Sequence, residues 1–146
     1  MKKSMKKLDT YLANLYVANV YLHYLHWNVV GPAFKTVHEY LEALYDETFE
    51  NLDEVAELQK MNGVYPKASM KSYLELTTLK EFESDKDIEQ KKAVELAVAL
   101  LKELRKTALD TRETADEEEF FQVANMMEDQ VTNYDKHIWF LESMLK

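Results

Sequence analysis

Apolar residues return every three or four positions along four long stretches of this chain, the recurrence expected of amphipathic helices. The first stretch runs from Ser4 to Val29, with Leu8, Leu12, Leu15, Asn19 and Leu22 on one face. Gly31-Pro32 ends it, because proline fits the first turn of a helix but not its interior. The second stretch runs from Phe34 to Met61 and stops at Asn62-Gly63, a pair suited to a C-terminal cap. After Pro66, Ser69 to Leu76 predicts a short helix in the crossover, and Ser84-Asp85 offers a cap for the third long helix. That helix sets Val94, Ala97, Leu101, Leu104 and Ala108 on one face, before the acidic run DTRETADEEE breaks the pattern with charges that read as solvated. The last stretch alternates Phe120, Ala124, Met127, Val131, Tyr134, Ile138, Leu141 and Leu145 in a 3-4 rhythm, the seam of a bundle.

Composition narrows the class. A chain of 146 residues is one domain's worth, and no repeat or low-complexity linker divides it, so residues 1–146 read as a single domain. Two glycines, two prolines and 47% hydrophobic residues favour long uninterrupted helices, hence an all-α fold. With no cysteine, disulfides and thiolate metal sites are excluded. The start MKKSMKK resembles a signal-peptide n-region, but Asp9, Asn14, Asn19 and His23 interrupt the apolar stretch behind it. No apolar run is long enough to span a membrane, so a soluble cytoplasmic protein is expected. The net charge of −9 opposes nucleic-acid binding, against which stand only Lys2, Lys3, Lys6 and Lys7.

The candidate chemistry lies around the Gly31-Pro32 break. His26 stands five residues before Gly31 and His38 seven after it, so a helical hairpin brings the two imidazoles to similar height. Along the second helix, at about 100° per residue, Glu42, Asp53 and Glu57 fall within about 100° of His38. Glu42 and Asp53 nevertheless lie about 16 Å apart along the axis, whereas ligands of one metal sit within about 2.0–2.5 Å of it. One chain cannot close such a site. A second copy packed antiparallel, with its twofold axis near Glu47 and Thr48, would bring Asp53 and Glu57 opposite the first copy's His38 and Glu42, giving two sites per dimer. Two imidazoles and three carboxylates suit divalent iron, manganese or zinc. The intrachain di-iron pattern, a Glu-x-x-His pair on each of two helices, is excluded, because none of His23, His26, His38 and His137 has a Glu three residues before it.

These residues carry a family resemblance. His26-Trp27, Gly31, Phe34, His38-Glu39, Glu42, Asp53 and Ala56-Glu57 fall at the spacing of the Dps proteins, the mini-ferritins that protect DNA in starved or oxidatively stressed bacteria, and the run from Lys136 to Leu141 resembles that family's final helix. The resemblance implies a ferritin-like four-helix bundle with a short helix between the second and third long helices, assembled as a hollow dodecamer. It implies ferroxidase centres at the dimer interfaces, with His26, His38 and Glu42 from one subunit and Asp53 and Glu57 from its partner. The implied activity is oxidation of Fe(II) by hydrogen peroxide or oxygen and storage of Fe(III), with DNA compaction by a scaffold cage as the alternative. The chain departs from the family in three places: Glu42 replaces the usual Asp, Leu58 the usual Arg, and Ala124-Asn125-Met126-Met127 a stretch contributing to an acidic pore.

Other residues read more plainly. Glu39, Glu47, Glu50 and Glu54 lie near the stripe but read as solvated or facing a cavity, and His23 and His137, without a carboxylate at ligand spacing, read as structural. Trp27 is open to a radical-intercepting role by resemblance and to packing otherwise, whereas Trp139 reads as core. The cluster Asp110, Glu113 and Asp116 to Glu119 reads as a wet helix end rather than a cation pore.

Overall fold

The computed structural model describes residues 1–82 and 85–146. Its elements are α1 (Lys3–Asn28), β1 (Val29–Val30), α2 (Phe34–Met61), α3 (Met70–Leu76), β2 (Ile88–Glu89), α4 (Gln90–Glu117) and α5 (Phe121–Met144). α1 packs on α2 and α4 on α5, while α1 also lies against α4, closing a four-helix bundle. The expected seams form its core: Leu8, Leu12, Leu15 and Leu22 meet Leu101, Leu104, Met127 and Leu141, all essentially inaccessible to solvent.

The helix ends follow local chemistry. α2 closes through Gly63, whose φ of 76° suits glycine, with Val64 N–H donating to the Gln59 carbonyl at 2.9 Å. Ser69 caps α3, its hydroxyl accepting from Ser72 N–H at 3.2 Å. α1 receives its cap from a distant element. Lys2 contributes no side-chain cap, and the Glu118 carboxylate accepts from Lys3 N–H at 2.7 Å and Ser4 N–H at 3.0 Å, two of the amides a helix start leaves unpaired.

Three features differ from the sequence expectation. The acidic run is helical: α4 continues to Glu117, and Ala108, Thr111 and Ala115 extend its buried face at 3-4 spacing with residues too small or polar to register as a hydrophobic stripe. The cap of α4 is Glu89, whose carboxylate accepts from Lys91 N–H and Lys92 N–H at 3.0 and 3.1 Å; the proposed cap residue Ser84 lies outside the described residues. A two-residue parallel pairing, Val29 with Ile88 and Val30 with Glu89, joins the α1–α2 turn to the start of α4.

The crossover is held by one buried amide. Asn14 Nδ2 donates to Thr78 Oγ1 at 2.9 Å and Thr107 Oγ1 at 3.1 Å, while its Oδ1 accepts from Thr78 N–H at 2.9 Å and Thr77 Oγ1 at 2.6 Å. Every polar atom of that side chain is thus satisfied, as burial demands.

Candidate metal centre

The α1–α2 turn determines where the two imidazoles stand. Gly31 adopts a φ of 134°, and a Cβ there would lie 2.6 Å from Gln90 Oε1. Gln90 approaches so closely because its Oε1 accepts from Ala33 N–H at 2.6 Å, tying the turn to the first residue of α4. The strand pairing holds the same turn from the other side.

So held, His26 and His38 stack face to face, ring centroids 3.7 Å apart and planes 12° from parallel. The Nδ1 of His26 bonds to the His38 carbonyl at 2.7 Å, and the Nδ1 of His38 bonds to the His26 carbonyl at 2.7 Å. A carbonyl only accepts, so both Nδ1 atoms carry the proton and, in the neutral rings, both Nε2 atoms keep a free lone pair. This is the arrangement by which metal-binding histidines are oriented through their second nitrogen. His26 Nε2 lies 3.9 Å from Glu42 Oε1, with His26 buried and the Glu42 side chain 55% exposed. Phe34 stacks on the outer face of His38 at 4.9 Å.

Tyr45 wedges the group. It meets His26 edge-on at 5.2 Å and stacks on His23 at 3.7 Å. Burial, then the Glu42 and Asp46 charges and its hydrogen bond to Glu42, raise its phenol above the ordinary range. Asn19 Nδ2 donates to the Tyr45 carbonyl at 2.7 Å, which explains a polar residue in the α1 seam.

Asp53 and Glu57 stand farther along α2, both exposed, and do not join His26, His38 and Glu42 within the chain. Among the described residues of one chain, no three His, Asp or Glu side chains gather to hold a metal ion. Between Glu42 and Asp53 the same helix face carries Tyr45, Phe49 and Leu52, none fully buried and Phe49 58% exposed. An apolar strip between two sets of polar donors leaves unfinished both the packing and the site.

His137, which has no carboxylate at ligand spacing along its own helix, finds a partner on another: its Nε2 pairs with Glu47 of α2, and its Nδ1 lies 2.8 Å from the Tyr40 hydroxyl. Burial, then the Glu47 charge, push the Tyr40 phenol up to about 12. Deeper in the bundle, Tyr11 bonds to Tyr134 and donates to Gln130 Oε1 at 2.5 Å. Spacing within one helix cannot disclose such interhelical partners. Trp27 is 69% exposed, its ring 5.4 Å from His23, and Trp139, expected in the core, is 66% exposed.

A four-helix bundle with one long crossover is the ferritin-like architecture, and the ferritin-like domain family matches residues 5–146. Within that class, the chain belongs to the Dps family of DNA protection during starvation proteins. It is 36% identical to the DNA protection during starvation protein of Brevibacillus brevis over 153 aligned residues, covering all of both chains. The crystal structure of a Dps protein from Bacillus brevis superposes with a TM-score of 0.92 at 32% identity, over 98% of this chain and 95% of that one. A Dps structure from Listeria innocua, soaked with zinc, gives a TM-score of 0.92 at 31% identity, over 98% of this chain and 96% of the other. Among the described residues no helix is long and apolar enough to cross a membrane.

Proposed function

We propose that the protein is a cytoplasmic ferroxidase whose substrate is Fe(II), bound between twofold-related subunits by His26, His38 and Glu42 of one copy and Asp53 and Glu57 of the other. The observation that carries this reading is the reciprocal histidine lock, which leaves both Nε2 lone pairs free beside the Glu42 carboxylate. The rest of the donor set lies across the apolar strip of α2, where an antiparallel second copy covers Phe49 and supplies the missing carboxylates.

The donor set explains the direction of the chemistry. Two neutral imidazoles and three carboxylates carry about three negative charges, which stabilise Fe(III) more than Fe(II), so loss of an electron is favoured there. Hydrogen peroxide is the proposed oxidant, with oxygen as the alternative, and Fe(III) collects as oxide inside a hollow homo-oligomer of twelve subunits. Glu42 keeps the charge of the family's usual Asp while reaching one methylene farther.

DNA compaction is the second reading, favoured by the names of the relatives. The lysines that would serve it are partly engaged: Lys7 pairs with Asp110 at 2.8 Å, and Lys2 Nζ lies 3.4 Å from the Glu118 carbonyl. A gel shift at low salt that weakens steeply as salt rises would support it.

Stopped-flow absorbance of metal-free protein mixed with anaerobic Fe(II), then with peroxide or oxygen, tests the leading reading. Fast oxidation by peroxide that a variant with Asp53→Ala and Glu57→Ala loses is the expected result. Equal rates in both proteins would remove the site assignment.

A further inference from the structure

Behind the histidine pair, on the other side of α2, three side chains form a line that the iron site does not use. Tyr40 lies two residues beyond His38, about 200° around the helix, so its ring turns toward α5. There its hydroxyl meets His137 Nδ1 at 2.8 Å, and His137 Nε2 in turn meets the Glu47 carboxylate. The carboxylate only accepts, so Nε2 carries the proton, Nδ1 presents a lone pair, and the Tyr40 hydroxyl donates to it. His137 and Glu47 are largely shielded, their side chains 16% and 29% exposed.

We propose that Tyr40 is a one-electron donor that quenches stray oxidising equivalents, with His137 taking its phenolic proton and Glu47 holding His137 ready to do so. Oxidation of a phenol acidifies it greatly, so the proton must leave with the electron, and a base already bonded to it removes the need for rearrangement. The electron passes from the Tyr40 ring to the oxidant, the O–H bond breaks, and an N–H bond forms at Nδ1. The resulting imidazolium faces the Glu47 carboxylate, so the pair gains attraction as the charge appears. When an electron returns, from a ferrous ion that becomes ferric, the proton moves back to the phenolate.

The other tyrosines with identified acceptors are less well served. Tyr24 and Tyr73 donate to the backbone carbonyls of Lys86 and Lys67, and Tyr11 to the Gln130 amide oxygen, none of which takes a full proton. Tyr45 bonds to Glu42, but a carboxylate is the weaker base, about 4.3 against about 6.5 for imidazole in ordinary surroundings. Glu42 also belongs to the proposed iron ligands.

The need for such a donor rests on the ferroxidase reading. A lone ferrous ion reduces peroxide by one electron, giving Fe(III), hydroxide and a hydroxyl radical; one further electron and a proton convert that radical to water. Tyr40 stands on the helix that bears His38 and Glu42, within a turn of both.

The test separates the relay from the iron chemistry. In the assembled, metal-free protein, photogenerated tris(bipyridine)ruthenium(III) serves as a one-electron oxidant, and trapped radicals are read by electron paramagnetic resonance. A neutral tyrosyl signal is expected that Tyr40→Phe removes, and His137→Gln should slow its formation about a hundredfold, the contribution of a positioned base. A signal unchanged in Tyr40→Phe, whether from another tyrosine or from Trp27, would overturn the proposal; that variant decides alone should His137→Gln fail to fold. The same measurement after peroxide is added to protein carrying less than one Fe(II) per site reports on the iron chemistry. Equal rates of Fe(II) oxidation by peroxide in the parent and in the variant with Asp53→Ala and Glu57→Ala, with the ruthenium result positive, would count against the ferroxidase reading and leave the relay standing.

Discussion

His26 and His38 each bond through Nδ1 to the other's backbone carbonyl, at 2.7 Å in both directions. Each ring is therefore oriented by the other residue's main chain rather than by its side chain. In His38→Ala, the His38 carbonyl still holds His26, so the variant should fold and keep one free Nε2. Losing the other should weaken divalent metal binding about 10- to 100-fold, the scale seen even for groups that only support ligands. Calorimetric titration with Co(II) checks this; affinity equal to the parent would exclude His38 as a ligand.

The turn that sets this distance depends on Gly31 and Gln90. Gly31→Ala meets two obstacles, a positive φ and a Cβ 2.6 Å from Gln90 Oε1, and should cost about 1–3 kcal/mol. Adding Gln90→Ala removes the collision but leaves the backbone strain, so the double variant should recover only part of the loss. Urea unfolding of the four proteins of this cycle measures the coupling, and strict additivity would show that the contact has no energetic consequence.

Glu118 caps α1 from the far end of α4. Hydrogen bonding from Ser4, then the Lys3 amide and the Lys2 charge, hold its carboxyl below the usual carboxylate range. A lowered folded-state value means that its contribution is present above the unfolded value and lost as pH falls through the folded one. Glu118→Gln should therefore be less stable than the parent near neutrality, by about 0.5–1 kcal/mol given its partial exposure. The difference should vanish in acid, once the carboxyl is protonated in the folded protein as well as in the unfolded chain. Denaturant midpoints at both pH values decide this, and a pH-independent difference would contradict the assignment.

Tyr11 is fully buried between Tyr134 and Gln130. Tyr11→Phe removes the donor to Gln130 Oε1 and should cost about 1–3 kcal/mol. Chemical denaturation measures it, and a cost near zero would mean that the amide finds another donor at once.

Most of the bundle was legible in the sequence because its seams are written in leucine at 3-4 spacing, as Leu8, Leu12 and Leu15 or Leu101 and Leu104 illustrate. The end of α4 was not, since Thr111 and Ala115 bury a face without looking apolar. The histidine hairpin followed from counting residues about Gly31, whereas the reciprocal backbone bonds and the Gln90 tie depend on the turn's dihedral angles and on an element 57 residues away. The partner of His137 was hidden for a similar reason: its carboxylate lies on α2, 90 residues distant, and no periodicity within α5 points to it.

The central claim, a site shared between two copies, is tested most directly by complementation. A variant with His38→Ala and Glu42→Ala and another with Asp53→Ala and Glu57→Ala should each oxidise Fe(II) slowly. Co-assembled at equal amounts, they form mixed dimers in which one of two sites holds a complete ligand set. Random pairing should restore about a quarter of the parent's peroxide-driven rate, since half the dimers are mixed and half their sites intact. A mixture no faster than its components would contradict a shared site.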